Sequence, residues 1–503
     1  MAADPRFVHI LLQVLTGRVV YRTNRRNGVD FDVLVCNVAS GAEEVLYDGG
    51  GLVAEAMLSP DSRYLALTVL SRRPMSTQLL LVDTLAATPD ARLRELTVAD
   101  EHARYENLHW LPDSSGVVLT TDRDTDHTFV ARYDLANDEL SVLVAAEHDV
   151  TAWSSPDGRS LLAETNVDGW SALALVDVEG GGRREVRLPT PGVLAGSLPA
   201  PVFAPDSSTV ALSVSAPGVP GDVLLLDVAT VSVRALTDTA VPGVAAPTSH
   251  VVPTPDGEQV PCYVYRPTVA TDLAGSSVTV VHGGPEGQSR PAFSPVVQAL
   301  VAAGHTVLVP NVRGSVGYGK RWYSLDDVGL RLDSVADLAA VHDWLPSLGL
   351  DPGRAALWGG SYGGVHGAGR VCVPAAALGR GGGHRRHLVA GHVLGEHLGL
   401  PPGRQGAGVR HARRRPGILD AGVAAEPHRR PAGATGGHPR GQRSPGAADR
   451  GAATAHRAHP AWRAVRAAGV PRRGPRSGQT GQPGGRLPKS AGLPGQAAGL
   501  GAG

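Results

Sequence analysis

Short runs of alternating apolar and polar residues fill the first half of the chain, and they recur behind a common punctuation. An apolar residue, Pro-Asp and a small polar residue stand together at Leu58–Ser62, Leu111–Ser115 and Ala204–Ser208, and Ser155–Gly158 carries the same Pro-Asp signal. The aspartates Asp61, Asp113, Asp157 and Asp206 are 52, 44 and 49 residues apart. Each Pro-Asp-Ser/Gly is a turn signal, read here as structural, and each precedes a run with strand periodicity such as Tyr64–Val69 or Val210–Val214. About 15 to 20 residues further on, a second strand ends in Asp, as in Leu80–Asp83 and Leu224–Asp227. Several strands per irregular repeat of roughly 40 to 50 residues predict β-propeller blades. A preceding unit, Gly17 to Leu46, reads as one more blade without its turn, which makes five.

From about Ala240 the pattern changes. Val252–Tyr265 reads as an entry hairpin. Val278–Val281, Thr306–Val309 and Ala355–Trp358 read as strands, with helices at Val297–Ala302 and Ser334–Trp344 between them. Apolar strands alternating with amphipathic helices predict a parallel α/β sheet. The second helix sets Val335, Leu338, Val341 and Leu345 on one face, as a helix covering a sheet requires. The expected division is a β-propeller over 17–240, the first part of an α/β-hydrolase domain over 241–364, and a third segment over 365–503.

Composition sets that third segment apart. Its 139 residues hold 21 Arg and 1 Lys against 2 Asp and 2 Glu, a net of +18, and residues 1–364 carry the compensating −18. Tyr362 is the last tyrosine, and Trp462 is the only aromatic beyond it. A sequence of Gly, Ala, Arg, Pro and His buries little apolar area, so disorder is expected. A basic arm binding nucleic acid is the alternative for this segment. One aromatic and no repeated basic motif weigh against it. No apolar run reaches membrane-spanning length, and residues 1–17 show no basic n-region or small-residue cleavage site. Cys36, Cys262 and Cys372 are too few and too scattered for a disulfide framework or a zinc site, which points to buried thiols and a cytoplasmic protein.

The composition breaks inside the most informative motif. Leu357-Trp-Gly-Gly-Ser-Tyr-Gly-Gly364 contains Gly-x-Ser-x-Gly directly after an apolar strand. That is the setting of a nucleophile elbow, in which glycines allow a sharp turn that lifts Ser361 from the sheet. Val281-His-Gly-Gly-Pro285 follows another strand. Its backbone offers one oxyanion donor, Gly284 N–H, and Tyr362 N–H offers the second. His282 reads as a loop histidine that orders the turn. Arg313, in Asn311-Val-Arg-Gly-Ser-Val-Gly-Tyr-Gly319, reads as structural. Asp326, Asp327, Asp333 and Asp337 read as helix caps and solvated faces.

A propeller followed in order by His-Gly-Gly-Pro, Asn-Val-Arg-Gly-Ser-x-Gly-Tyr-Gly and Gly-Gly-Ser-Tyr-Gly-Gly resembles the prolyl oligopeptidase family, nearest its acylaminoacyl peptidase and dipeptidyl aminopeptidase branch. The resemblance covers about residues 17 to 364. It implies a serine peptidase acting on short peptides through an acyl-enzyme at Ser361, with the propeller limiting access. It also implies a later Asp and His as orienter and general base. No metal or organic cofactor is implied, and no nucleic-acid or membrane partner is expected. The motifs do not specify the oligomeric state.

The family's strand-end Asp motif and Glu/Asp-x-His-Gly motif are absent after Ser361. The genetic code suggests why. Codons for Val365-His366-Gly367, read from the second base, can encode Tyr-Met. His438–Pro445 read the same way can encode Ile-His-Gly-Ala-Asn-Asp-Pro, and Pro471–Arg476 can encode Pro-Asp-Glu-Gly-His. Both missing motifs thus emerge in order from one frame. The expectation is a one-base shift near Gly364, with the lost Asp codon across Arg443/Ser444 and the lost His codon across Pro475/Arg476. As written, the chain lacks its triad partners and is expected to be inactive. The alternatives are a non-catalytic propeller binding protein with a vestigial hydrolase half, or an esterase on the same scaffold.

Overall fold

The computed structural model describes residues 4–88, 92–194, 199–284, 286–360 and 390–392. All of them fall within the first of two compact units, Met1–Arg466; the second is Ala467–Gly503. The first half forms five four-stranded antiparallel sheets, each strand pairing with the next in sequence. The first sheet opens with His9–Leu15, ahead of Gly17, and the others open with Val53–Leu58, Tyr105–Trp110, Val150–Ser154 and Val202–Phe203. These are the blades of a β-propeller.

The four Pro-Asp turns share one backbone solution. The residue after the aspartate takes a left-handed φ, at 64° in Ser62, 60° in Ser114, 71° in Gly158 and 60° in Ser207. The aspartate Oδ1 accepts the N–H two residues on, from Arg63, Ser115, Arg159 and Ser208, at 3.0 to 3.1 Å. The motif is therefore an Asx-type turn, in which the side chain replaces a backbone acceptor. The turns also touch across blades, since Asp61 N–H donates to Ser114 Oγ and Asp157 N–H to Ser207 Oγ, each at 3.2 Å.

Nearer the axis, side chains reach from one blade to the backbone of the next. The Gln13 amide both accepts from Leu58 N–H and donates to Leu58 carbonyl. The Glu55 carboxylate accepts from Asn107 N–H at 2.8 Å and Leu108 N–H at 3.0 Å, and Asn107 Nδ2 donates to the Ala152 carbonyl at 2.6 Å. These bonds satisfy polar groups where blade edges would otherwise bury them unpaired. Apolar side chains fill the rest of the space between neighbouring blades: Ala66, Leu79, Leu81, Leu108, Val117 and Leu119 form one such cluster.

The second half is a six-stranded mixed sheet in the order Pro247–Pro253, Gln259–Tyr265, Thr306–Pro310, Ser277–Val281, Ala355–Gly360, Ala390–His392. The first two strands form the expected antiparallel hairpin, and the last four are parallel. Ser294 caps the Pro295–Ala302 helix through its Oγ, with proline at the first helical position. The Arg331–Trp344 helix buries Leu338 and Val341, with Leu345 just past its end, against the sheet residues Val264, Leu308 and Leu357. Val335 on the same face is only half-buried. The disorder expected for 365–503 falls outside the described residues, except that Ala390–His392 forms a strand.

Candidate active site

Ser277–Val281 lies between strands reached by opposite crossovers: the chain passes to Thr306–Pro310 on one side, then returns to Ala355–Gly360 on the other. A crevice opens at such a reversal, beyond the carboxyl ends of the strands. Val281 is in register with Gly359. The His282 loop thus leaves the sheet beside the strand whose last residue, Gly360, precedes Ser361 in sequence. Ser361 and Tyr362, assigned above as nucleophile and oxyanion donor, lie outside the described residues, as does Pro285.

Gly284, the other assigned donor, is exposed and has φ 135°, a value that favours glycine. A Cβ at this position would come within 2.5 Å of the N atoms of Glu286 and Gly287, so the turn has no room for a side chain. His282 holds the loop in shape. Its Nδ1 lies 2.8 Å from the Gly283 carbonyl, which can only accept, so Nδ1 carries the proton. Pinning the Gly283 carbonyl also sets the Gly284 N–H, which a trans peptide points the opposite way. On its other side, His282 Nε2 meets Ser315 Oγ at 2.9 Å, and Ser315 is also within 2.6 Å of the Val312 carbonyl. Burial pushes the His282 pKa below its ordinary value, which keeps the ring neutral. The histidine orders the turn, as its sequence context suggested. Its partner Ser315 had no assigned role, although it lies within the glycine-rich motif.

The same motif anchors the loop from below. Asn311 is fully buried; its Oδ1 accepts from Ser289 N–H and its Nδ2 donates to the Ser289 carbonyl and to Tyr318 Oη. Arg313 is buried as well. Its Nε and one terminal nitrogen donate to Asp337 Oδ1, its backbone N–H donates to Asp337 Oδ2, and the other terminal nitrogen donates to Asp256. Burial raises the Asp337 carboxyl while the Arg313 bonds pull it down, and the two carboxylates hold Arg313 firmly protonated. Arg313 is therefore structural. Asp337 is not on a solvated face: it is fully buried as the partner of Arg313, and Asp326 is buried beside Gly314.

The end of this motif also ties the α/β sheet to the propeller. Lys320 Nζ donates to the carbonyls of His102 and Asp122, and Tyr323 Oη donates to the buried Asp122 carboxylate at 2.6 Å. Arg104 lies over the Tyr323 ring at 4.7 Å and completes the cluster. A second tie follows the His282 loop. Gln288 accepts from Asn166, and Arg290 donates to Gly169 carbonyl, Ser171 Oγ and Glu164 Oε1. Sequence reasoning missed these residues, because their partners lie more than 100 positions away.

Fold and site together define a class: a β-propeller followed by an α/β-hydrolase sheet that leads into a Gly-x-Ser-x-Gly segment. Residues 291–368 match the prolyl oligopeptidase family. Dipeptidyl peptidase family member 6 of Caenorhabditis elegans is 34% identical over 88 residues, 17% of this chain and 12% of the relative. The acylamino-acid-releasing enzyme of Arabidopsis thaliana shows the same identity and coverage. The chain thus aligns with about an eighth of the length of these relatives. Among solved structures, puromycin hydrolase superposes with a TM-score of 0.61 at 21% identity, covering 73% of this chain and 60% of that one. Prolyl oligopeptidase B from Galerina marginata gives 0.59 at 18% identity, covering 71% and 52%. These structural likenesses bear on the fold.

Proposed function

We propose that the gene encodes a serine peptidase that hydrolyses short peptides through an acyl-enzyme at Ser361, and that the chain as written is inactive. The observation that carries the reading is the pairing of Val281 with Gly359. It supports a site in which Gly284 and Tyr362 N–H groups face the carbonyl that Ser361 attacks. The domain division at 240 and 364 belongs to the same proposal, as does a cytoplasmic location. Among the described residues no helix is long and apolar enough to cross a membrane.

The family match ends at residue 368, four positions past Gly364, where the composition also changes. Both observations support a shifted frame. Without a base to take its proton, the Ser361 hydroxyl is a weak nucleophile, and the loss in rate is about 10⁴-fold or more.

A fluorophosphonate probe tests both parts. The chain as given should remain unlabelled, whereas a chain with one base removed near codon 364 should label at Ser361 and lose the label in Ser361→Ala. Labelling of the chain as given would refute its inactivity. Failure of the refolded, frame-restored chain to label would refute the peptidase reading and favour a binding role for the propeller.

A further inference from the structure

The first strands of all five blades end around one cavity on the propeller axis, about 450 Å³ in volume. It lies on the side of the Pro-Asp turns. The α/β sheet meets the opposite side, at hairpin residues such as Asp122, Asn166 and Ser215. The walls include Trp110, Trp153, Phe203 and Met57, with the prolines of three of the turns, Pro60, Pro112 and Pro156, and among the described residues no charged side chain lines them.

Most polar groups in the wall are already engaged. The Gln13 amide is held by Leu58, and the Trp110 indole donates to the Met57 carbonyl at 2.8 Å. Two groups remain. The Trp153 indole N–H has no hydrogen-bond partner among the described residues, and it is not sealed from solvent. His109 supplies the second. Its Nε2 lies 3.2 Å from Asn107 Oδ1. Asn107 Nδ2 donates to the Ala152 carbonyl, which fixes the other amide atom as the oxygen. An amide oxygen only accepts, so Nε2 holds the proton and Nδ1 presents a lone pair. Burial pushes the His109 pKa down to about 4, and the ring remains neutral.

We propose that this cavity is a binding site for an uncharged aromatic group bearing both a hydrogen-bond donor and an acceptor, as a tyrosine or tryptophan side chain beside its peptide amide does. The volume lies within the range of small-ligand pockets, roughly 300–1,000 Å³. A ring entering it stacks or packs edge-on against Trp110, Trp153 and Phe203, while the Trp153 N–H and His109 Nδ1 pair with its polar groups. A charged ligand would lose its hydration with no counter-charge in the wall. The site lies away from the crevice that follows Ser277–Val281, and it stands whether or not Ser361 is active.

Titration of the full chain with N-acetyl-tryptophanamide and N-acetyl-tyrosinamide, followed by saturation-transfer NMR, tests the site. Both should bind saturably, with N-acetyl-leucinamide and indole-3-acetate at least tenfold weaker. Trp153→Phe keeps a ring but removes the donor, and should weaken the aromatic amides about fivefold. Phe203→Leu should weaken them without touching either polar group, and provides a second variant if the first is unstable. Absence of saturable binding, equal binding of leucinamide, or indifference to both substitutions would overturn the proposal.

Discussion

Arg313 and Asp337 are joined by three hydrogen bonds of 2.6 to 2.9 Å, two from the guanidinium and one from the arginine's own backbone N–H. The pair connects the loop after Thr306–Pro310 to the middle of the Arg331–Trp344 helix. One side chain thus fixes both the course of the loop and the seat of the helix on the sheet.

Removing one member should cost far more than removing both. Arg313→Met leaves the fully buried Asp337 carboxylate unpaired and should destabilise the α/β domain by about 3–5 kcal/mol. Asp337→Asn retains an acceptor and should cost less. The double substitution Arg313→Met with Asp337→Leu should recover part of the loss, because it removes the stranded charge. Urea unfolding followed by tryptophan fluorescence measures all three, and a double variant less stable than Arg313→Met would argue against a coupled pair.

Acid should weaken the fold before its carboxylates titrate. Burial holds His109 at about 4, and it pushes His282 and His305 below the ordinary histidine value. Unfolded histidine titrates near 6.5, so between about 6.5 and 4 the unfolded chain binds protons that the folded chain does not. The stability these groups contribute is complete above about 6.5 and lost as the pH falls. His109→Gln should flatten the slope of urea midpoints between pH 7 and 4.5, whereas an unchanged slope would place the acid sensitivity elsewhere.

The sequence shows local structure well and long-range polar pairing poorly, for a physical reason. Asp61, Asp113, Asp157 and Asp206 act on N–H groups two residues away, so their role is written in the motif itself. Leu338, Val341 and Leu345 follow helical spacing and are buried as that spacing implies. Asp337 lies in the same helix and looks like any exposed acid. Only the fold brings Arg313 to it and makes burial tolerable. Glu55 and Asn107 likewise acquire their partners only when the blades close side by side. Of the candidate site, Gly284 falls in the described loop, while Ser361 and Tyr362 lie beyond it.

Gly284 gives a test of the oxyanion loop that leaves the nucleophile untouched. A Cβ there meets two backbone nitrogens at 2.5 Å, and neither can move aside as a flexible side chain would. In the frame-restored chain, Gly284→Ala should lower fluorophosphonate labelling by roughly 10²-fold or more, the scale of losing one oxyanion donor. Far-UV dichroism should be unchanged. Undiminished labelling would mean that the donor is another residue.

Buried polar ties hold the two halves together. Glu164 in the fourth blade is nearly buried, and Arg290 reaches it from the loop that begins at His282, with Ser171 bonded to both. Arg290→Ala strands the Glu164 carboxylate at the interface. Lys320→Met leaves the carbonyls of His102 and Asp122 without the donor they share. Each loss of a partner to a buried polar group should cost about 1–3 kcal/mol, more where the orphan is charged. Both changes act between the halves and leave the blade cores and the sheet core alone. Each should therefore separate unfolding into two transitions, with the propeller's own midpoint little altered, and the pair combined should separate them further. Calorimetry distinguishes this from the alternative. A single transition that merely shifts downward would mean that the propeller depends on the α/β half for its stability, and that these polar ties are internal to one cooperative unit.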